Sequence, residues 1–206
     1  GKWTSQEAMD LGVPVPAIDA AVSARELSAL RAERLQLAAL YPGAPPARAD
    51  RAAALAGLEQ AYFAAAWIAY AQGFAQIAAA SREYGFGTGL ATVARVWRAG
   101  CIIRAAILEP IHAAFAANPA LANLLLEPAV AAALAPAVAG LRATVIDGVS
   151  CGVPLPALSA ALAYFDGMRS ARLPANLLQA QRDHFGAHTY ERLDRDGSFH
   201  SEWGRE

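Results

Sequence analysis

The run Ala61-Tyr62-Phe63-Ala64-Ala65-Ala66-Trp67-Ile68-Ala69-Tyr70-Ala71-Gln72-Gly73-Phe74-Ala75-Gln76-Ile77-Ala78-Ala79-Ala80 decides the fold class. Coiled into a helix, it is apolar on every side, with only Gln72, Gly73 and Gln76 interrupting. Two structures accept such a helix: a membrane span, or the central helix of a protein whose other helices pack around it. Alanine adds little to transfer into lipid, and neither a second span nor a basic flank accompanies the run. The reading is a buried helix at the centre of a helical protein.

The composition around this run agrees. Of 206 residues, 56% are hydrophobic and 17% charged, which excludes a disordered chain. Alanine is small and favours helix, so helices rich in it can approach closely. A net charge of -1 offers no electrostatic reason for nucleic acid or an anionic membrane as partner. Cys101 and Cys151 lack metal-ligand spacing and read as buried free thiols of a cytoplasmic protein. Gly1-Lys2-Trp3-Thr4 is polar, without the apolar core of a signal peptide, and the missing initiator Met points to a start inside a longer protein.

Moving outward, Thr4-Ser5-Gln6-Glu7 has the chemistry of a helix start, and Gly12 that of a helix stop. Pro16 opens a second helix expected to reach about Leu40, and Tyr41 to Ala47 is a proline-rich loop. The long helix is expected from about Ala49 to Tyr84. Gly85, Gly87 and Gly89 punctuate the chain before a helix from about Leu90 to Ala116. Asn118-Pro119 is a turn, Ala129 to Val149 a helix kinked at Pro136, and Ala157 to Ala171 another helix. A short helical stretch then leads through Gln179 to His184, and turn chemistry at Asp196-Gly197 marks a polar tail. Nothing alternates with period two, so no sheet is expected.

Gly12-Val13-Pro14-Val15-Pro16-Ala17-Ile18-Asp19-Ala20-Ala21-Val22 is echoed by Gly152-Val153-Pro154-Leu155-Pro156-Ala157-Leu158-Ser159-Ala160-Ala161-Leu162. A glycine stop followed by a proline start recurs, which reads as a duplicated helical unit. The expected class is all-α: a multi-helix domain with an internal duplication over residues 1–178, then an extended C-terminal tail over 179–206.

Gly85-Phe86-Gly87-Thr88-Gly89 imitates a dinucleotide fingerprint. A true one leaves a buried strand and opens a helix whose amides meet the pyrophosphate. A helix precedes this one, so it reads as a connector. Gln179-Ala180-Gln181-Arg182-Asp183-His184-Phe185-Gly186-Ala187-His188-Thr189-Tyr190 carries more chemistry. Arg182 falls in a last helical turn that Gly186 is expected to end, and His188 follows on a constrained turn. A guanidinium fork and an imidazole donor there can share one anion. The bland alternative pairs Arg182 with Asp183 and leaves His188 to cap the turn. Arg25 reads as a solvated charge beside Glu26, Arg104 as half of a buried ion pair, and His112 and His200 as structural or exposed. No nucleophile elbow, zinc spacing, P-loop or carboxylate pair appears.

Several of these motifs recur together in order: Gly1-Lys2-Trp3-Thr4, Tyr70-Ala71-Gln72-Gly73-Phe74, Trp97-Arg98-Ala99-Gly100-Cys101-Ile102-Ile103-Arg104, Asn123-Leu124-Leu125-Leu126, Leu173-Pro174-Ala175-Asn176-Leu177 and Gln181 through Tyr190. With the closing Phe199-His200-Ser201-Glu202-Trp203, they resemble the C-terminal helical portion of the decarboxylating 6-phosphogluconate dehydrogenases. The resemblance implies NADP-linked oxidation of 6-phosphogluconate and loss of carbon dioxide to give ribulose 5-phosphate. It implies a homodimer whose active sites are each completed by the partner's tail. Arg25 would bind substrate phosphate within its own subunit, and Arg182 and His188 would reach the phosphate of the other. It also implies that the Rossmann domain, the general-base lysine and the general-acid glutamate all lie before Gly1. No catalytic residue is therefore assigned here, and this portion alone is expected to be inactive. His184 stands where the family often has tyrosine. The competing reading is a non-catalytic helical dimerisation module derived from the same family.

Overall fold

The computed structural model describes residues 1–43 and 50–204, and its regular structure is almost entirely helical. In order come α1 (Lys2–Asp10), α2 (Pro16–Leu27), α3 (Arg31–Leu40), α4 (Arg51–Glu83), α5 (Leu90–Val96), α6 (Leu108–Ala117), α7 (Pro128–Ser150), α8 (Pro156–Met168) and α9 (Asn176–Gly186). The chain forms two compact units, Gly1–Phe165 and Asp166–Glu206.

The first unit is built on α4. Asp50 starts it, its carboxylate accepting from the amides of Ala52 and Ala53 at 2.9 and 3.1 Å. The expected start at Ala49 and most of the expected proline-rich loop lie outside the described residues. Ala61, Ala64, Trp67, Ile68, Ala71 and Phe74 are buried along α4, as the opening run requires. The two glutamines dock other elements. Gln72 Oε1 accepts from the first-turn amide of Ala17 at 3.0 Å, and Gln76 Nε2 donates to the Thr4 carbonyl at 2.8 Å. The first satisfies an amide at the start of α2 that has no partner within its own helix, and the second ties α1 to α4.

α7 runs antiparallel to α4, which brings Gly57 to Thr144 and Gln60 to Gly140. A Cβ on Gly140 would lie 2.5 Å from the Gln60 Cβ, so the helices meet there only because that side chain is absent. α7 continues through Pro136, and among the described residues it is the one helix long and apolar enough to cross a membrane. Its Val130, Leu134 and Leu141 face the same core as Phe74 of α4 and Ile111 and Phe115 of α6. Phe74 stacks at 5.3 Å from Trp97 and 5.1 Å from Phe115.

The duplicated motif produces one local structure twice. Gly12 and Gly152 take φ of 65° and 66°. The following valine amides, Val13 and Val153, each bond back to Ala8 and Gly148 at 2.8 Å. That is the six-to-one bond of a Schellman stop, and Pro16 and Pro156 then open α2 and α8.

Several expectations need correction. The helix expected from Pro16 to Leu40 is two, broken at Ser28–Leu30, where the amides of Ala29 and Leu30 bond three residues back instead of four. The Ser28 hydroxyl also donates to the Arg25 carbonyl at 2.6 Å, competing with helical bonding. The helix expected from Leu90 to Ala116 is likewise two, because Gly100 turns the chain at φ 69°. Cys101-Ile102-Ile103-Arg104 is therefore surface loop, and Arg104 is exposed instead of buried in an ion pair. It is Arg98 that pairs with Glu109. The run 61–80 is not buried on every side either: Tyr62 is 76% exposed. Cys101 and Cys151 are free but only half-buried. α1 starts at Lys2 with Gly1 as its cap, and α8 ends at Met168, short of Ala171. Finally, a minimal sheet does exist. β1 (Tyr190–Glu191) pairs antiparallel with β2 (Ser198–Phe199) in the second unit.

Candidate functional site

α9 carries one buried residue, Asp183, and from it the local structure of the second unit follows. The Asp183 carboxylate accepts from the Thr189 amide (3.0 Å) and His200 Nδ1 (2.9 Å) on one oxygen. On the other it accepts from the Ser201 amide and Trp203 Nε1, both at 2.9 Å. Burial alone would raise its pKa; the bonds from Ser201, His200 and Trp203 overcome this and hold it well below the usual carboxylate range. A buried, ionised, fully hydrogen-bonded carboxylate thus ties the tail back onto α9 at both ends of residues 189–203.

Arg182 precedes Asp183 on α9 and is exposed, as is His188. Among the described residues the Arg182 guanidinium has no hydrogen-bonding or ion-pair partner. The local Arg182–Asp183 pair weighed from the sequence is therefore not formed, because other donors saturate Asp183. Gly186 is the last residue of α9, and the left-handed stop falls instead on Ala187, at φ 49° and ψ 40°. Thr189 is also left-handed at φ 62°. Two such non-glycine residues flanking His188 are costly and persist only where surrounding bonds impose them. Gln179 supplies one, donating from Nε2 to the Thr189 carbonyl at 2.5 Å. The His188 ring lies back over Gly186, where a Cβ would meet its Cδ2 and Nε2 at 3.0 Å. A side chain at 186 would crowd that ring, whereas the helix end makes no demand for glycine there.

The rest of the tail closes as a hairpin. Arg192 forks onto Asp194 at 2.7 and 2.8 Å, the Tyr190 and Ser201 hydroxyls bond at 2.8 Å, and the Arg195 guanidinium lies 4.4 Å from the Phe199 ring centre. A cleft of about 800 Å³ runs between α9 and this hairpin, and neither Arg182 nor His188 lines it. Both project to solvent from a rigid turn.

Arg25 belongs to the first unit, in the last turn of α2. It donates from Nη1 to the Ser28 hydroxyl at 2.7 Å and makes no bond to its neighbour Glu26. His112 is structural, its Nδ1 bonded to the Ala91 carbonyl at 2.8 Å. Sequence reasoning missed Asp183, Gln179 and His200 as organisers of the turn. Their partners lie 6 to 20 residues away and share no periodicity, so only three-dimensional closure reveals them. The Gly85–Gly89 segment joins α4 to α5 with no strand before it, Thr88 donating its amide to the Ser81 hydroxyl at 2.8 Å. It offers no dinucleotide cradle. Among the described residues no cluster of His, Cys, Asp and Glu is placed to hold a metal.

Comparison with known proteins places the chain in a family. The family model described as "6-phosphogluconate dehydrogenase, C-terminal domain" matches residues 1–203. The NADP(+)-dependent, decarboxylating 6-phosphogluconate dehydrogenase of Bacillus subtilis is 46% identical over 205 residues, covering 98% of this chain and 44% of that protein. The decarboxylating enzyme of Escherichia coli gives the same identity and coverage. The chain thus spans less than half the length of the curated relatives it matches. A Plasmodium falciparum 6-phosphogluconate dehydrogenase, solved in apo form and with NADP+ or 6-phosphogluconate, superposes with a TM-score of 0.93 at 36% identity. It is covered over 44% of its length by 98% of this chain. With sequence and fold in agreement over nearly every residue, the chain belongs to the 6-phosphogluconate dehydrogenase family, as its C-terminal domain.

Proposed function

We propose that this chain supplies substrate-phosphate binding and the dimer surface to an NADP-dependent, decarboxylating 6-phosphogluconate dehydrogenase of the cytoplasm, which yields ribulose 5-phosphate and carbon dioxide. NADP, when bound, accepts the hydride; the Gly85–Gly89 segment lacks the strand that a dinucleotide cradle needs, so NADP binding and the proton transfers are assigned to the rest of the full-length protein. The chain's own part is to hold the sugar by its phosphate end. Arg182 offers a planar fork to phosphate oxygens, His188 donates a further hydrogen bond, and Arg25 contributes from the first unit. Such binding lies remote from the reacting carbon and serves to position it.

The observation that carries this reading is the exposed Arg182–His188 pair on a turn clamped by a buried carboxylate. An anion-binding turn that does not line the cleft beside it is half a site, and the other half comes from a second copy. Two surfaces support that assembly. An apolar groove of about 1340 Å³ runs along α4 in the first unit, lined by Tyr62, Phe63, Trp67, Ile102 and Ile103 among others. In the second unit Leu177 and Phe185 are 74% and 82% exposed.

Arg182→Ala in the full-length protein tests the reading. Losing a charge-assisted fork weakens 6-phosphogluconate binding by about 10- to 100-fold, measured as Kd by calorimetry. An unchanged Kd removes Arg182 from the site.

A further inference from the structure

Thr189 is the residue whose conformation aims His188. Its φ of 62° is one that a β-branched residue does not adopt unaided. Both of its backbone polar groups are taken by side chains of α9. The amide donates to Asp183 Oδ1 at 3.0 Å, and the carbonyl accepts from Gln179 Nε2 at 2.5 Å. Gln179 and Asp183 are four residues apart, on one face of the helix, so a single rigid element grips the peptide from both sides. The remaining capacity of Asp183 goes to His200, Ser201 and Trp203, which fixes the carboxylate itself.

We propose that Asp183 and Gln179 form a positioning pair: by holding Thr189 left-handed through its amide and carbonyl, they set His188 where the substrate phosphate is recognised. Neither touches the phosphate. The pair acts through His188, much as outer partners orient the side chains that meet a bound ion. The proposal rests on the phosphate reading of Arg182 and His188 and deepens it. Stabilising the tail is a separate role that predicts loss of fold or assembly without any selective effect on phosphate affinity.

The test uses the full-length protein and five variants, Asp183→Asn, Gln179→Ala, His188→Ala and each of the first two combined with His188→Ala. The readouts are Kd for 6-phosphogluconate, competition by inorganic phosphate, and the split between KM and kcat. Asp183→Asn places an amide where two donors now meet an oxygen, and Gln179→Ala removes the carbonyl tether. Each is expected to weaken 6-phosphogluconate and inorganic phosphate several-fold and to raise KM by a larger factor than kcat falls. In the His188→Ala background each is expected to add less than about twofold, since residues acting through one group are not additive. Full additivity on His188→Ala, or an unchanged Kd in Gln179→Ala, overturns the proposal. If Asp183→Asn does not fold, the Gln179→Ala pair of measurements decides alone. A wild-type Kd in His188→Ala overturns the phosphate reading itself, and this inference with it, a result distinct from additivity.

Discussion

Asp183 is buried yet ionised because four N–H groups converge on its two oxygens. The consequence for pH follows from the sign of its shift. Its folded pKa lies below its unfolded value of about 3.9, so what it contributes to holding the tail is complete above that value. The contribution is lost only as pH falls further, toward the depressed folded value. The Trp203 indole N–H signal is therefore expected to keep its hydrogen-bonded position from neutral pH down to about pH 4 and to be lost in stronger acid. Loss of that signal between pH 7 and 5 would contradict the assignment. At this scale the sequence made Arg182 and His188 legible, because a fork and an imidazole six residues apart around a helix end are a local pattern. It concealed Asp183. A carboxylate beside an arginine invites a local pairing, whereas its real donors arrive from the chain's far end.

At the scale of elements, the glycine and proline chemistry was a sound guide where it formed a complete device. Gly12 with Pro16 and Gly152 with Pro156 each give a Schellman stop and a proline start, as the echo promised. It misled where one residue acted alone. Gly100 sits in an apolar run that fits a helix, yet it turns the chain, and Ser28 breaks a helix with no glycine or proline nearby. The α4–α7 contact has the sharpest consequence. Gly140→Ala places a Cβ against the Gln60 Cβ, not merely against its flexible end, so the helices must separate. We expect a loss of about 1–3 kcal/mol by urea unfolding, although alanine favours helix over glycine. Gln60→Ala keeps its Cβ and should not rescue it. A Gly140→Ala variant of unchanged or increased stability would show that the two helices are not in close contact there.

For the molecule as a whole, the helical class was readable from one apolar run, since a helix apolar on most sides needs other helices packed around it. What that run hid was its open side. Tyr62 and Phe63 belong to the same apolar pattern as Trp67 and Ile68, and no periodicity separates the residues that face the core from those left exposed along the groove. The site was hidden for a related reason. Arg182 and His188 are readable as candidate anion ligands, but a sequence does not say which subunit's phosphate they would meet. The account holds that Arg25 serves its own subunit's site and Arg182 the partner's. Mixing full-length Arg25→Ala subunits with Arg182→Ala subunits tests that claim directly, with NADPH formation at low 6-phosphogluconate as the readout. Each variant alone should be impaired, while in the hybrid dimer one site regains both arginines and the other loses both. The account predicts recovery approaching half of the wild-type rate in the hybrids. No recovery, with the hybrids as impaired as the parent variants, would show that each subunit holds its substrate with its own tail.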